Sequence, residues 1–539
     1  VSNLADLNAA LTVRARAGFQ FGNTAVTDPA TDPSIVSVPN TDSSTWPVTG
    51  STTPTVLRLR KIYSGPEDET ATGPNYVRQY TVIADIAAGQ TVTNLDLMDV
   101  LPDNVQFVSV DSVAPVGSVV TTPSTMMPGG TLTRRIASVT GTAGTNDASM
   151  TFSYYVPLLD TSLSNVIVPA TGDDTQSPDD ARAEGDWTPV DARDLPAQHL
   201  ISNAVPVDHL LNDKSIAIQK SVAIVGDVEP AGFTPGDTLE YTLSFQISDY
   251  FAFQNVRVSS DIVSDGQHLD AGFTPTYAVT EDGVVTAGSF DAADWTVTTH
   301  YSTAPVPVLP IDGTTGLTFD ISQALLRAGR SGQLLGGLVQ PVTANDGATT
   351  GQIKFRTTVL DKYVDMFPSG SPSLDEGDGV GNTVVLTGDV LDNTTLNPTG
   401  FDETDGSSAG ATIAEGALSK SIYAINGSTT LPNPLRMAAG DWVTYRIHYT
   451  LVTSDFELLH LIDFLPLPVF RVSDYAWSKD PAASDTAPIP GQWKYLTTDT
   501  YHVRPGTLDP GLTVDAAANT LDFYYGTHED LGNQASAID

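Results

Sequence analysis

Ile216-Ala-Ile-Gln-Lys220-Ser-Val-Ala-Ile224, then Gly236-Asp-Thr-Leu-Glu-Tyr241-Thr-Leu243, then Val256-Arg-Val-Ser-Ser-Asp261 is the stretch whose reading decides the fold. Apolar and polar residues alternate with period two in each piece, and turn residues separate the pieces, which is the pattern of half-buried antiparallel strands. The order of features is a lysine strand, a tyrosine strand, opened by Gly-Asp in two of the copies, and a strand ending in aspartate. It occurs twice more. Leu57-Arg-Leu-Arg-Lys61-Ile-Tyr63, Pro74-Asn-Tyr-Val-Arg-Gln-Tyr80 and Leu95-Asp-Leu-Met-Asp99-Val-Leu-Pro102 form one copy. Leu418-Ser-Lys420-Ser-Ile-Tyr-Ala-Ile425, Gly440-Asp-Trp-Val-Thr-Tyr445 and Leu459-His-Leu-Ile-Asp463-Phe-Leu-Pro466 form the other. The tyrosine strand of the first copy is one residue longer, which predicts a bulge. In the middle copy Asp261 falls one residue late, so it faces inward only if a bulge restores its side.

Each copy also closes alike. A period-two strand (Met150-Thr-Phe152, Ile353-Lys-Phe355, Leu521-Asp-Phe523) precedes a strand headed by Asn203, Asn382 or Asn533. The N-terminus repeats only this closing pair, Leu11-Thr-Val-Arg-Ala15 and then Gly22-Asn23-Thr-Ala-Val26. Repetition of whole supersecondary units indicates an all-β chain of tandem antiparallel β-sandwich domains with long loops. The expected divisions are 1–50 for the closing strands of a preceding repeat, then repeats over 51–212, 213–412 and 413–539. Val1 then reads as an internal or processed start, and residues 9–27 as the tail of a repeat in a longer array. Thr161 to Gln198 reads as a decorative loop, and Ile321-Ser-Gln-Ala-Leu-Leu-Arg327 as one helical turn.

Composition narrows the functional classes. At 539 residues the chain exceeds one hydrophobic core. A net charge of −39 argues against nucleic acid, whose phosphates need Lys and Arg. Cysteine is absent, and no apolar run is long enough to span a bilayer. The eight histidines include no His-x-x-x-His pair, and neither a Gly-x-Ser-x-Gly elbow nor a phosphate-cradling glycine loop occurs. Trp187, Trp295, Trp477 and Trp493 read as core rather than as a sugar-stacking platform.

The ordered phrases Lys, Gly-Asp-x-x-x-Tyr, Asp-x-Leu-Pro and Asn-Thr-x-Val resemble the bacterial cell-surface repeat catalogued as DUF-eleven. The resemblance covers the framework of each repeat and leaves out the long loops. It implies immunoglobulin-like sandwiches in an envelope-associated protein, akin to collagen-adhesin and pilin modules. It therefore implies a secreted or cell-surface location.

Two chemistries follow. A lysine on the first strand, an aspartate in the middle and an asparagine on the last strand are the set for a self-formed isopeptide bond. Burial deprotonates the amine, while a neighbouring carboxyl polarises the carboxamide. The expected triads are Lys61/Asp99/Asn203, Lys220/Asp261/Asn382 and Lys420/Asp463/Asn533, each losing ammonia. Calcium is the second expectation, at acidic loops carrying Asp173, Asp174, Asp179 and Asp180, then Asp375, Glu376 and Asp378, then Asp402, Glu403 and Asp405. The chain reads as a non-enzymatic extracellular stalk, filament subunit or surface-layer component. It would associate with itself, with neighbouring repeats or with the cell envelope. The alternative is an adhesin gripping a glycan or protein through its loops.

Overall fold

A computed structural model describes residues 10–15, 19–20, 35–36, 48–144, 146–189, 197–203, 209–228, 232–299, 314–339, 344–364, 372–451, 456–466, 469–470, 472, 511–528 and 536–538. An N-terminal segment holds β1 (Leu11–Ala15), β2 (Phe19–Gln20), β3 (Ile35–Val36) and β4 (Val48–Thr52). β1 pairs antiparallel with β4, and β2 with β3. The asparagine strand expected beside β1, at Asn23, lies outside the described residues.

Repeat 1 contains β5 (Leu57–Ser64), β6 (Glu69–Ala71), β7 (Arg78–Ile86), β8 (Thr91–Leu101), β9 (Gln106–Ala114), β10 (Val119–Thr121), β11 (Gly130–Thr140), β12 (Ala148–Tyr155), β13 (Thr175–Trp187), β14 (Gln198–Asn203) and β15 (His209–Lys214). One sheet runs β5-β7-β12-β9, and the other runs β10-β11-β8-β13-β15-β6 with β14 beside β13. Repeat 2 contains β16 (Ile216–Gly226), β17 (Thr238–Ile247), β18 (Ala252–Val263), β19 (Gln267–Leu269), β20 (Thr276–Glu281), β21 (Val284–Ser289), β22 (Trp295–Thr299), β23 (Thr315–Asp320), β24 (Leu334–Leu335), β25 (Thr349–Val359), β26 (Gly379–Leu391) and β27 (Pro398–Thr412). Its sheets are β16-β17-β25-β20-β21 and β22-β23-β18-β26-β27. Repeat 3 contains β28 (Ala417–Ile425), β29 (Val443–Leu451), β30 (Phe456–Phe464), β31 (Gly511–Asp515), β32 (Thr520–His528) and β33 (Ser536–Ile538). These form sheets β28-β29-β33 and β30-β32-β31. The chain is a series of antiparallel sandwiches, as its repeats require.

Alternation places the cores. Tyr80, Val82, Leu95, Leu97, Phe152 and Tyr154 fill repeat 1, and Leu239, Tyr241, Phe253, Phe319 and Phe355 fill repeat 2. The helical turn is α1 (Ile321–Arg327), with Asp320 accepting the Gln323 N–H as its N-cap. The β18 ladder shifts register between Val258 and Asp261, so the bulge required by the late aspartate is present. The bulge expected ahead of Tyr80 is not: β5 and β7 pair without a break, and the extra residue sits in the turn before Arg78.

Two sequence assignments are corrected. Thr161 to Gln198 is not all loop, because Thr175–Trp187 is a central strand, β13, hydrogen-bonded to β8. Its inward residues include Ser177, Asp179, Ala181, Ala183 and Gly185, too small and polar to show apolar alternation. Leu521-Asp-Phe523 is not the counterpart of Met150-Thr-Phe152. β32 pairs with the aspartate strand β30, as β11 pairs with β8 and β23 with β18. The counterpart of β12 and β25 is β33, which pairs with the tyrosine strand β29.

Repeats 1 and 2 are joined tightly. Only Ser215 separates β15 from β16. The Tyr76 hydroxyl lies 2.6 Å from the Ile247 carbonyl oxygen and accepts the Thr349 N–H at 3.1 Å. Asp249 accepts both the backbone and side-chain N–H of Asn75, at 2.9 and 2.8 Å. Gly73 has φ +123° there, and a Cβ on it would stand 2.2 Å from Asp249 Oδ2, so only glycine fits.

Candidate functional site: a buried lysine between two carboxyls

The lysine strand lies on the tyrosine strand in the same register in every repeat. Lys61 is opposite Val82, Lys220 opposite Leu243 and Lys420 opposite Ile447. In each case the tyrosine sits two residues before that partner, on the same face and diagonal to the lysine. Each amine consequently lies over a ring, Lys61 Nζ 4.1 Å from the Tyr80 centroid, Lys220 5.1 Å from Tyr241 and Lys420 4.3 Å from Tyr445. The aromatic face attracts the cation while excluding water. The recurrence of Tyr80, Tyr241 and Tyr445 in the repeated phrase is the sequence signal for this platform.

Repeat 1 brings together the lysine and aspartate expected, but with a different third residue. Lys61 Nζ is 2.7 Å from Asp99 Oδ2 and 2.8 Å from Asp179 Oδ1, and all three side chains are fully buried. None of the five atoms involved, the amine nitrogen and four carboxyl oxygens, meets hydrogen-bond geometry with any partner. Burial lowers the lysine's proton affinity, but the two carboxyls outweigh it and hold Lys61 above its ordinary value. Burial and then the charge of Asp99 push Asp179 well above the carboxylate range, and burial also raises Asp99. The cluster therefore favours a protonated lysine, with Asp179 the carboxyl pushed furthest toward its neutral form.

Asn203 is not the strand partner expected. It ends β14, whose backbone pairs with Arg182 on the far side of β13. Asp179 on β13 lies two residues before Ala181, the partner of Asp99, and Asn382 on β26 lies opposite Val263, two residues past Asp261, so the two take corresponding places. The connections before β13 (156–174) and β26 (360–378) are equal in length, so Asp179 stands as far after Met150 as Asn382 does after Ile353, and a pattern that asks for asparagine passes over it.

In repeat 2, Asn382 is where it is expected, on the strand beside β18 and opposite Val263. Its side chain is buried, and neither amide atom has a hydrogen-bond partner. Asp261 is on β18, and its side chain lies outside the described residues, as does Asn533 of repeat 3. Lys420 forms an ion pair with Asp463, with the lysine side chain 34 % exposed.

The acidic residues read as calcium ligands make the following contacts. Asp179 and Asp180 point to opposite faces of β13. Asp174 and Asp405 hold Lys214 at 2.6 and 2.8 Å, and Asp405 also accepts the Ile218 N–H. Asp173 is exposed, bonded to Thr171. Glu403 bonds the Thr404 N–H, and Asp402 is exposed on β27. Asp378 accepts the Asp375 N–H, while Glu376 accepts from the Gly416 N–H and the Tyr449 hydroxyl of repeat 3. Among the described residues no three acidic or histidine side chains are disposed to hold a metal ion. Trp187 and Trp295 belong to the cores as read, and Trp477 and Trp493 lie outside the described residues. No described helix is long and apolar enough to cross a membrane.

No protein family's sequence profile matches the chain, and no curated protein is similar to it in sequence. Among solved structures it is similar to the T6 backbone pilin of serotype M6 Streptococcus pyogenes, at 12 % identity over 74 % of this chain and 76 % of the pilin, TM-score 0.21. That pilin is described as a modular three-domain structure decorated with variable loops and extensions. It is also similar to the Enterococcus faecalis adhesin ACE, described as binding its ligands by a collagen hug, at 10 % identity over 67 % of this chain and 96 % of ACE, TM-score 0.21. A third similarity is to the Staphylococcus aureus collagen adhesin, at 9 % identity over 66 % of this chain and 95 % of that one, TM-score 0.16. At these scores the superpositions do not carry the functional reading, which rests on the site itself.

Proposed function

We propose that the chain is an extracellular structural protein, a stalk, filament subunit or surface-layer component, whose first repeat is closed by an amide bond between Lys61 and Asp179. The observation that carries this reading is the sealed contact of Lys61 Nζ with both carboxyls at 2.7 and 2.8 Å. Lys61 passes a proton to Asp99, and the freed amine attacks Cγ of protonated Asp179. The Nζ–Cγ bond forms as the Asp179 hydroxyl leaves, taking the second amine proton as one molecule of water. An ammonium and a carboxylate become an amide and a neutral acid, which relieves the cost of a charge pair buried in an apolar core. The bond ties β5, where the chain enters the sandwich, to β13 in the opposite sheet. Such a staple suits a module that carries tension.

In repeat 2, the unpartnered amide of Asn382 supports the same chemistry with Lys220, there releasing ammonia. The test is the intact mass of the denatured chain. We expect about 18 Da missing from repeat 1, restored by either Lys61→Ala or Asp179→Ala, and located by a branched peptide joining residues 61 and 179. A full, unmodified mass in repeat 1 would leave an ordinary buried ion pair and remove this reading.

A further inference from the structure

The Lys61 site has a rim, and a titratable side chain occupies it. His209 on β15 lies directly opposite Asp179 on β13, and burial alternates along both strands so that the two side chains share the inward face. The imidazole spans from the site to the surface. Nδ1 is 2.7 Å from the hydroxyl of Tyr80, whose ring carries Lys61 Nζ at 4.1 Å, and Nε2 is 3.0 Å from Asp68 Oδ1. The ring also stacks on Tyr63, with centroids 4.7 Å apart. The His209 side chain is 14 % exposed, whereas Lys61, Asp99 and Asp179 are sealed.

The two polar partners fix the tautomer of a neutral His209. A carboxylate only accepts, so Nε2 carries the proton, and the bare Nδ1 accepts from the Tyr80 O–H. The Tyr80 hydroxyl then points at His209 and away from the cluster, and the ring beneath the amine is pinned.

We propose that His209 is a positioning residue for the closure of repeat 1, and that its protonation slows formation of the Lys61–Asp179 amide, a role that rests on the isopeptide reading above. A proton on Nδ1 makes both ring nitrogens donors, so the Tyr80 hydroxyl has to accept and turn its own proton toward the core. There the carboxyl oxygens of Asp99 and Asp179 and the Tyr154 hydroxyl stand without hydrogen-bond partners. The imidazolium also sets a positive charge opposite Asp179, which favours the carboxylate, and a carboxylate does not yield to the amine. The titratable groups facing His209 are Asp68 from the turn before β6, Tyr63 from β5, Tyr80 from β7 and Asp179 from β13, with Glu69 and Arg78 beside Tyr63. Burial pushes the Tyr63 hydroxyl up to about 12 and Tyr80 above its ordinary value, so neither tyrosine ionises near neutrality. Asp179 titrates in the opposite sense, since rising pH removes its neutral acid. A closure rate that climbs with pH and then levels off in the imidazole range is therefore the signature of His209.

The experiment uses the full chain, recovered unfolded and at its full mass from insoluble expression, then refolded at a series of pH values from 5 to 8. Intact mass follows the appearance of the 18 Da deficit with time. The wild-type rate should rise several-fold and level off, with its midpoint at about 6.5, the ordinary imidazole value. His209→Gln keeps an acceptor for Tyr80 and a donor for Asp68, so it should close near the wild-type plateau rate with no inflection. His209→Phe keeps the stack on Tyr63 but loses both hydrogen bonds, and should close several-fold more slowly than His209→Gln. Thermal melts of all three chains separate slow closure from failure to fold. Wild-type and His209→Gln chains with the same pH profile overturn the proposal, whatever His209→Phe does, and a deficit formed by both then leaves the amide reading standing. A wild-type chain with no deficit at any pH removes the amide reading and this role of His209 with it.

Discussion

Lys61 and Lys420 occupy equivalent places in the first and third repeats, yet their surroundings differ. Both sit diagonally across from a tyrosine and both meet the aspartate of the next strand. Lys61 is also covered by β13 and is fully buried, whereas Lys420 has no strand in that position among the described residues and is 34 % exposed. The lysine, tyrosine and aspartate recur together, and where β13 covers them the ion pair is dry, with both side chains fully buried. Water around Lys420 screens its pair with Asp463, while the core around Lys61 leaves a charge nowhere to go.

The largest effect that would sharpen this comparison is the loss of Lys61. Lys61→Ala strands Asp99 and Asp179 together in the core, and should lower the unfolding free energy of repeat 1 by about 3–5 kcal/mol in thermal or denaturant unfolding. Lys420→Ala removes a half-exposed pair and should cost about 0–1 kcal/mol by the same measurement. Equal losses at the two sites would break the claim that β13 makes the difference.

An intermediate effect is expected at the tyrosine platform. Tyr80→Ala empties a buried ring position under Lys61 and should cost about 3–5 kcal/mol, as large-to-small aromatic substitutions do. It should also slow appearance of the 18 Da deficit in freshly refolded chain. Tyr445→Ala, at a shallower core, should cost less than half as much. A Tyr80→Ala variant that closes at the normal rate would show the ring to be packing only.

A smaller effect concerns pH at the junction of repeats 1 and 2. Burial raises Asp213 to about 7, and burial with nearby carboxylates raises Glu69 and Glu403 to about 7. Their folded values exceed their unfolded ones, so each contributes stability that is fully present below about pH 4 and is lost as pH rises through about 7. Melting of the first two repeats should therefore be higher at pH 5 than at pH 8. Asp213→Asn should flatten part of that slope, whereas the melting of repeat 3 should not share it. The smallest effect expected is that of a chelator. With Lys214 already held between Asp174 and Asp405, calcium removal should shift the first transition by no more than about a degree, measured by differential scanning calorimetry.

The framework was legible in the sequence where side chains alternate strongly. The lysine, tyrosine and aspartate strands, the bulge at Asp261 and the turn at Ile321–Arg327 all follow from period and spacing. β13 was hidden because its inward row is Ser, Asp, Ala, Ala and Gly, which no hydrophobic pattern reveals. With it was hidden Asp179, which reads locally as one more acidic residue in an acidic loop. The exchange of partner at β32 was hidden too, since alternation gives a strand its faces but not its neighbours.

The proposed staple at Lys61 would have a consequence for how far the chain can lengthen. From Lys61 to Asp179 the sequence runs 118 residues. Pulled straight at roughly 3.4 Å per residue, that span would extend about 400 Å. With the two side chains joined, a pull on the ends of repeat 1 bypasses this length entirely. Even if the strands came apart, only the residues outside the bridge would pay out, and a cell tethered by such a chain would stay at nearly the same distance.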